Sequence, residues 1–378
     1  MKNKVYWIIL VIIIIAVGAG LVWMISESSD DNPPATGQKL QFVGSIAGAG
    51  EPNFLNGASS VRIAGKYAYI ASLQDSSLSI FDISDPANPK LAKVLTGAGA
   101  PNYLGGSDSV FVINDIAYVA SYMDDALTIF DVSDPVNPKH LGVISGTGAP
   151  NYLDGANSVC VVGKIAYVAA FDEKALTLVD ISDPTSPKYL GSVSGKASPY
   201  LDGASSVSVE HGYAYVATAG DDALSVSDIS DPTNPKHIGT ARGAGYPNYL
   251  NGAISVFVLG NKAYVASAYD DSFTIFDVSD ATAPLYLGNV HGEGAPSFLG
   301  GASSVFVSGD MAYVTSAEDN ALSVFDISQP TNPKLIDSIH GDEDSTFLAG
   351  AWSVYSSGGY IYVASFEEAS LSIFKLLD

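Results

Sequence analysis

The stretch LSIFDISDPANPK, from Leu78 to Lys90, recurs along the chain in closely similar form and at a nearly constant spacing. Its apolar run ends on an Asp that recurs every 48 or 49 residues, at Asp82, Asp131, Asp180, Asp228, Asp277 and Asp326. A seventh, shortened copy reads LSIFKLLD from Leu371. Seven units of this length indicate a solenoid or a propeller.

Each unit contains four short runs rich in Val, Ile, Phe and Tyr, which Gly, Asp, Asn and Pro interrupt. Such runs are typical of β-strands, and four strands make one propeller blade. The prolines of DPTNP cannot donate in a sheet, so they mark the connection from the third strand to the fourth. The sequence therefore predicts an all-β, seven-bladed propeller of four-stranded blades over residues 39–378.

The start of the repeat region supplies what the last unit lacks. LQFVGSIAGAGEPNFLNG, from Leu40 to Gly57, matches KHLGVISGTGAPNYLDG, from Lys139 to Gly155, which is a fourth strand with its following loop. We expect this N-terminal strand to complete the seventh blade. Pairing of the two chain ends would remove the exposed sheet edges of an open array.

These units resemble the LVIVD repeats of bacterial and archaeal surface proteins, most clearly in LTLVDISDP from Leu176 to Pro184. The stretch AYVTSAEDNALSVFD, from Ala312 to Asp326, is also similar to YVTN-type surface propellers. The resemblance covers residues 40–378 and implies a β-propeller on an exported protein, without implying a reaction. The chain departs from the repeat pattern at Ser227, Ala281, Gln329 and Lys375.

The N-terminal segment differs from the rest of the chain. An uncharged run from Val5 to Ile25 follows Lys2 and Lys4 and is long enough, as a helix, to cross a bilayer. The positive end favours the inner side, so we expect residues 1–25 to anchor the protein in the cell membrane, with the propeller outside. A cleaved signal peptide is the alternative. Residues 26–38 are polar and predict a tether.

Charge and cysteine content exclude several classes of function. The net charge of −23 argues against nucleic acid as a partner. Cys160 is the only cysteine, so the chain can form no disulfide within itself. We expect Cys160 to be a small, buried strand residue.

Antiparallel strands place alternate connections at opposite ends of the propeller. The loops from second to third strands therefore share one end with the loops that lead into each first strand; we call this end the top. The opposite end, with the DPxNPK connections and the Gly turns, is the bottom. The tether would enter at the bottom, so that the top would point away from the membrane.

The loops between second and third strands hold thirteen acidic residues against one Lys174. One acid per unit aligns into a ring, the acidic ring, which comprises Asp75, Asp124, Glu173, Asp221, Asp270, Asp319 and Glu368. Asp suits tight turns, which gives these residues a structural explanation. The alternative is a surface that binds a basic partner or a divalent cation such as Ca²⁺, although no EF-hand pattern is present.

The other top loops carry one aromatic residue each: Phe54, Tyr103, Tyr152, Tyr200, Tyr249, Phe298 and Phe347. These rings could wedge between blades and cap the core. Alternatively, together with nearby amides and carboxylates, they could form a platform for a glycan or a peptide.

A metal site is a weaker possibility in the loop HGDEDSTFL, which holds His340, Asp342, Glu343 and Asp344. Imidazole and carboxylates can bind metals, but this spacing matches no strong motif.

No catalytic constellation appears near the axis. The variable position of each first strand reads Ser59, Asp108, Asn157, Ser205, Ile254, Ser303 and Trp352, which supplies no triad and no pair of catalytic carboxylates. We therefore expect a binding scaffold at the cell surface, with a surface protein or glycan as partner, and not an enzyme. The alternatives are a hydrolase or lactonase with its site in the channel mouth, and a passive envelope component.

Overall fold

The computed structural model describes residues 39–194, 200–341 and 346–377. The chain divides into two units, Met1–Lys39 and Leu40–Asp378. The predicted anchor at 1–25 and the predicted tether at 26–38 lie outside the described residues. In the described part, no helix is long and apolar enough to cross a membrane.

The second unit consists of seven antiparallel four-stranded sheets, each of which is one blade. The first strands are β2 Ala58–Ala64, β6 Ser107–Ile113, β10 Ala156–Val162, β14 Ala204–Glu210, β18 Ala253–Leu259, β22 Ala302–Ser308 and β26 Ala351–Ser357. The second strands are β3 Tyr67–Ser72, β7 Ile116–Ser121, β11 Ile165–Ala170, β15 Tyr213–Thr218, β19 Lys262–Ser267, β23 Met311–Ser316 and β27 Tyr360–Ser365.

The third strands are β4 Ser77–Asp82, β8 Ala126–Asp131, β12 Ala175–Asp180, β16 Ala223–Asp228, β20 Ser272–Asp277, β24 Ala321–Asp326 and β28 Ser370–Leu376. The fourth strands are β5 Lys90–Thr96, β9 Lys139–Ser145, β13 Lys188–Ser194, β17 Lys236–Arg242, β21 Leu285–His291, β25 Lys334–His340 and, from the other end of the chain, β1 Leu40–Ala47. Blade 1 begins at β2 and blade 7 at β26.

The first strands form the centre of the propeller. Each contacts the first strand of both neighbouring blades, and β2 contacts β26, so the ring is closed. Closure depends on β1, which pairs antiparallel with β28 from Leu40 opposite Leu376 to Ala47 opposite Ser370. The predicted seven-bladed architecture and its closing strand are therefore confirmed.

Burial explains the composition of each strand. Second and third strands lie between two strands and two blades, so almost every side chain in them is buried, as in β7 and β8. Their residues are accordingly mainly Ala, Val, Ile, Leu, Tyr and Phe, with buried Ser or Thr in each third strand. Fourth strands form the rim and are mostly partly exposed, as β5 shows.

The hydrophobic core is divided into clusters between neighbouring blades. Ile80 on β4 packs in one cluster with Val119 on β7, and Ile70 on β3 packs in another with Leu371 on β28. All four side chains have no exposed surface. Burial of each such side chain is worth about 1.5–3 kcal/mol, so the blades are held mainly by contact with each other.

A closed ring of seven hydrogen bonds joins the first strands. An inner edge strand has no neighbouring strand on its axial side, so its amides need other acceptors. The N–H of Val61 donates to Ser353 Oγ at 3.3 Å, and the N–H of Val110 donates to Ser60 Oγ at 3.2 Å. The remaining bonds join Val159, Val207, Val256, Val305 and Val354 to Ser109, Ser158, Ser206, Ser255 and Ser304, respectively.

Candidate functional site

The acidic ring binds the backbone of the top loops. Asp124 Oδ2 accepts hydrogen bonds from the N–H groups of Gly99 and Gly105, both at 2.7 Å. Both amides belong to the loop that leads into the same blade. Asp75, Asp270 and Asp319 accept two equivalent bonds each, whereas Glu173 and Asp221 accept one. Glu368 donates its own N–H to Ala349 O.

At five of the seven ring positions, the residue that follows connects one blade to the next through a hydrogen bond. Asp125 Oδ1 accepts the N–H of Gly155 at 2.9 Å, and Asp222 Oδ1 accepts that of Gly252 at 3.0 Å. The side-chain oxygens of Ser76, Asp271 and Asn320 accept equivalent bonds from glycine N–H groups of the following blade. The acids of the top therefore hold its loops in place, and they confirm that both sets of loops share one end.

One stretch of this face concentrates negative charge between blades 5 and 6. Burial, followed by the charges of Asp271, Glu293 and Asp319, raises the pKa of Glu318. Burial also raises the pKa of Asp271, although the N–H of Gly301 opposes the change. Between blades 2 and 3, by contrast, Asp172 accepts the hydroxyl of Tyr122 at 2.8 Å.

The seven loop aromatics are partly buried and have positive φ, for example 48° at Tyr249 and 47° at Phe298. This region is unfavourable for bulky side chains, so the surrounding contacts must hold them there. In most blades a third-strand hydroxyl donates to the aromatic residue's carbonyl, as Ser272 does to Tyr249 at 2.9 Å. The leucine that follows each ring is buried, with Leu250 and Leu299 at 0% exposure.

Three of these rings are covered by the last residue of a fourth strand. Tyr249 stacks on His291 with centroids 4.8 Å apart, and Phe298 stacks on His340 at 4.4 Å. In blade 4, Arg242 lies 5.0 Å from the centroid of Tyr200. The rings thus cap the blades, and one face of each of these three is occupied.

The predicted metal loop is only partly described. His340 is the residue stacked on Phe298, and Asp342, Glu343 and Asp344 lie outside the described residues. Among the residues that the structure describes, no group of three or more His, Cys, Asp or Glu could hold a metal ion.

Two exposed aromatics of blade 5 were missed by the sequence reasoning. Tyr246 is 83% exposed in the loop before β18, and Tyr269 is 52% exposed in the loop between β19 and β20. The ring of Tyr269 lies against Gly252, where a Cβ would be 2.6 Å from Cδ2 of the ring.

Comparison of the repeats could have found these two residues. The position of Tyr246 is Glu51 in one other copy and Ala in three, Ala100, Ala149 and Ala295. The position of Tyr269 is never aromatic elsewhere, since the other copies have Gln74, Met123, Asp172, Gly220, Glu318 and Glu367. The sequence signal is therefore an aromatic residue at a position that is not aromatic in the other repeats.

The channel mouth contains a single carboxylate at the variable first-strand position. Burial raises the pKa of Asp108 to about 7, against the opposing effect of a hydrogen bond from Ser59. Asn157 donates its side-chain amide to Ser205 O at 2.8 Å, and Ser303 donates to Ala351 O at 2.7 Å. The polar residues of the mouth are therefore largely engaged with neighbouring strands.

The LVIVD repeat family matches the chain at residues 57–96, 104–144, 155–195, 203–241, 252–291, 299–340 and 350–373. No curated protein matches the sequence.

Several solved structures have a similar fold. A functionally unknown protein from Desulfotomaculum acetoxidans DSM 771 has a TM-score of 0.63 at 14% identity, over 82% of this chain and 93% of its own. The β-propeller domain of Cps50 (Swd1) from Myceliophteria thermophila has a TM-score of 0.64 at 14% identity, over 89% and 99%. A putative 6-phosphogluconolactonase from Bacteroides fragilis NCTC 9343 has a TM-score of 0.60 at 14% identity, over 75% and 85%. At these identities the likeness concerns the fold alone.

Proposed function

This chain belongs to the LVIVD repeat family, and we propose that it is a cell-surface scaffold whose top end binds a glycan. The observation that carries the proposal is the exposure of Tyr246 and Tyr269, at 83% and 52%, in one blade of an otherwise regular ring. Exposed tyrosines offer flat apolar surface with a polar tip, which suits the faces and hydroxyls of sugars. Large exposed aromatic patches mark interaction sites.

The charge of the top defines the class of glycan. Asp270 and Asp271 follow directly on Tyr269, and Glu318 lies in the next blade. Carboxylates accept hydrogen bonds from hydroxyl and ammonium groups and repel other anions. The ligand we propose is therefore a neutral or amine-bearing polysaccharide, while uronate-rich or sulfated polymers and nucleic acids are excluded.

The proposed location rests on the N-terminal segment. Residues 1–25 would anchor the chain in the cell membrane, with 26–38 as the tether. Because Leu40 begins a fourth strand, it lies at the bottom end of the propeller. The top would then be the end presented to the surroundings, and protease added to intact cells should digest the propeller while leaving cytoplasmic proteins intact.

Binding is tested with the full-length protein on immobilised laminarin, chitosan and hyaluronan, which are neutral, cationic and anionic polysaccharides. We expect retention by one or both of the first two and none by hyaluronan. The double variant Tyr246→Ala, Tyr269→Ala should lose retention. The control is Leu285→Ala, which removes an apolar side chain from the bottom end whose exposure of 64% lies between those of the two tyrosines. Retention of the double variant equal to that of the wild type would contradict the proposal.

A second candidate function is hydrolysis at the channel mouth, which the pKa of Asp108 favours. A carboxylate that titrates near neutrality can act as a general base. The fold is also shared with a putative lactonase, at an identity too low to transfer activity. Hydrolysis of glucono-δ-lactone by the wild type that Asp108→Asn abolishes would support this function, and equal rates for both proteins would contradict it.

A further inference from the structure

The seven first strands surround the axis of the propeller, and we call the space along this axis the tunnel. A second layer of side chains borders it below the mouth, near the bottom end. These residues occupy the fifth position of each first strand: Arg62, Phe111, Cys160, Ser208, Phe257, Phe306 and Tyr355. All seven are partly exposed, as expected for side chains that border an axial space. Unlike the ring of serines above it, this layer is chemically asymmetric, with one cation and four aromatic rings.

The rings form a continuous arc around the tunnel. Phe257 lies 5.0 Å from Phe306, and Phe306 lies 4.5 Å from Tyr355, measured between ring centroids. Arg62 Cζ continues the arc, at 5.2 Å from the centroid of Tyr355 and 5.7 Å from that of Phe111. The guanidinium is thus placed between two rings, which orient its plane and its donors.

Arg62 lacks a carboxylate partner among the described residues. Within the described ranges, its one hydrogen bond joins Nη1 to Val61 O at 3.5 Å, the outer limit for such a bond. The ion pairs of the described part join other residues, namely Lys66–Asp82, Lys174–Asp202 and His211–Glu210. A guanidinium has five N–H donors, so most of those on Arg62 remain available to a ligand.

An unpaired charge in this position is costly. Burial lowers the pKa of Arg62, while the nearby Tyr355 and Cys160 oppose that effect. Cation–π contact with two rings offsets part of the cost, but it supplies no hydrogen-bond acceptors. An anion in the tunnel would neutralise the charge and accept the free donors.

We propose that this layer of the tunnel binds a small monocarboxylate, which Arg62 holds through a planar pair of hydrogen bonds. A carboxylate matches the two-pronged geometry of the guanidinium. A single cation balances a single negative charge, and the chain's net charge of −23 disfavours multiply charged anions such as phosphate. The apolar part of the acid would lie against Phe257 and Phe306, which favours an aromatic acid such as benzoate.

Alkylation of Cys160 reports directly on occupancy of the proposed site, because Cys160 lies in the same layer and is the only thiol of the full chain. Burial raises its pKa to about 11, and the charge of Arg62 opposes this rise. A bound carboxylate would both cover the thiol and cancel the favourable charge. Alkylation of Cys160 by uncharged iodoacetamide should therefore slow when the site fills.

The experiment measures this alkylation rate in the full-length protein with benzoate or with benzamide, its uncharged analogue. At ten times the half-saturating concentration of benzoate, we expect the rate to fall about tenfold, because about one site in eleven remains empty. Benzamide should have no effect. Absence of slowing by benzoate, or equal slowing by benzamide, would overturn the proposal.

Two variants assign the effect to Arg62. Arg62→Met should make alkylation insensitive to benzoate, while Arg242→Met, which removes the stacked arginine of the top end, should respond like the wild type. Should Arg62→Met fail to give a cooperative melting curve, Arg62→Lys keeps the charge without the planar pair of donors. It should require at least about tenfold more benzoate for half-saturation. An unchanged response in either Arg62 variant would overturn the proposal.

Discussion

Ser353 Oγ accepts a hydrogen bond from the backbone N–H of Val61 at 3.3 Å, across the junction between blade 7 and blade 1. This bond completes a ring that runs through all seven first strands. Because the donor belongs to an inner edge strand, loss of the hydroxyl would leave it without a protein acceptor.

Replacement Ser353→Ala should therefore lower the free energy of unfolding by about 1–3 kcal/mol, the cost of an unsatisfied buried amide. Chemical denaturation followed by fluorescence measures the change. The matched control is Ser308→Ala, which alters an exposed serine at the end of another first strand and should remain within about 0.5 kcal/mol of the wild type. Similar losses in both variants would argue against a special role for the ring.

Asp124 should contribute to stability rather than only to solubility. Its Oδ2 accepts two backbone amides at 2.7 Å, so Asp124→Ala should cost about 1–3 kcal/mol. Asp124→Asn keeps one acceptor oxygen and should cost less. Thermal melting distinguishes the two, and a wild-type melting curve for Asp124→Ala would show that the loop amides find other acceptors.

Two tyrosines in the loop before β18 should contribute differently to the free energy of unfolding. Tyr249 is partly buried and stacked on His291, so Tyr249→Ala should lower the unfolding free energy by about 1–3 kcal/mol. Tyr246 is 83% exposed, and Tyr246→Ala should change stability by less than about 0.5 kcal/mol. Equal melting temperatures for Tyr249→Ala and Tyr246→Ala would contradict this prediction.

The fold could be predicted from the sequence because the repeat unit occurs seven times in the chain, with the last copy shortened. The spacing of Asp82 and its equivalents gives the number of blades, and the match of the segment at Leu40 to that at Lys139 gives the closing strand. Each feature depends on local pattern and on the rule that sheet edges are paired.

The site was less predictable because its details depend on deviations and on three-dimensional contacts. The sequence pattern predicts the acidic ring on the top loops, but the bonds of Asp124 to Gly99 and Gly105 depend on how two loops meet. Tyr246 and Tyr269 occupy positions that are not aromatic in the other repeats, so the shared repeat pattern does not indicate them. The unpaired state of Arg62 likewise follows from its neighbours in other blades and from nothing in its own strand.

The free energy of unfolding should decrease as the pH rises, because Asp108 loses its proton. Its pKa in the folded protein is about 7, above the ordinary value of 3.8, so the folded state binds this proton more tightly than the unfolded chain does. The contribution to stability is therefore full below about pH 4 and is lost as the pH rises towards 7. Asp108→Asn should remove this slope and be more stable than the wild type at pH 8 by about 1 kcal/mol or more.

The measurement is a series of denaturation curves between pH 4 and pH 8. Asp115→Asn, at an exposed bottom turn, serves as control and should retain the wild-type slope. An identical slope in Asp108→Asn would show that the carboxyl group is solvated in the mouth.

Calcium should leave the melting temperature unchanged. The ring carboxylates such as Asp75 and Asp270 already bind backbone amides, and the described residues contain no group of three or more metal-binding side chains. Melting curves of the full-length protein with millimolar Ca²⁺ and with chelator test this. A site filled to 100 times its dissociation constant would add about 2.7 kcal/mol, which is readily seen as a higher melting temperature.

The pairing of β1 with β28 imposes an order on biosynthesis. The strand at Leu40 leaves the ribosome before any blade, and its partner, which ends at Leu376, follows all of the others. During synthesis and any translocation, β1 therefore has no partner strand for its hydrogen-bonding edge. Six complete blades can form from the residues that follow it before β28 is made. Until β28 arrives, an incomplete chain is open at both ends, and a neighbouring copy can supply the missing strand. The strand β1, which completes the seventh blade, is therefore also the element through which two incompletely synthesised copies can pair with each other.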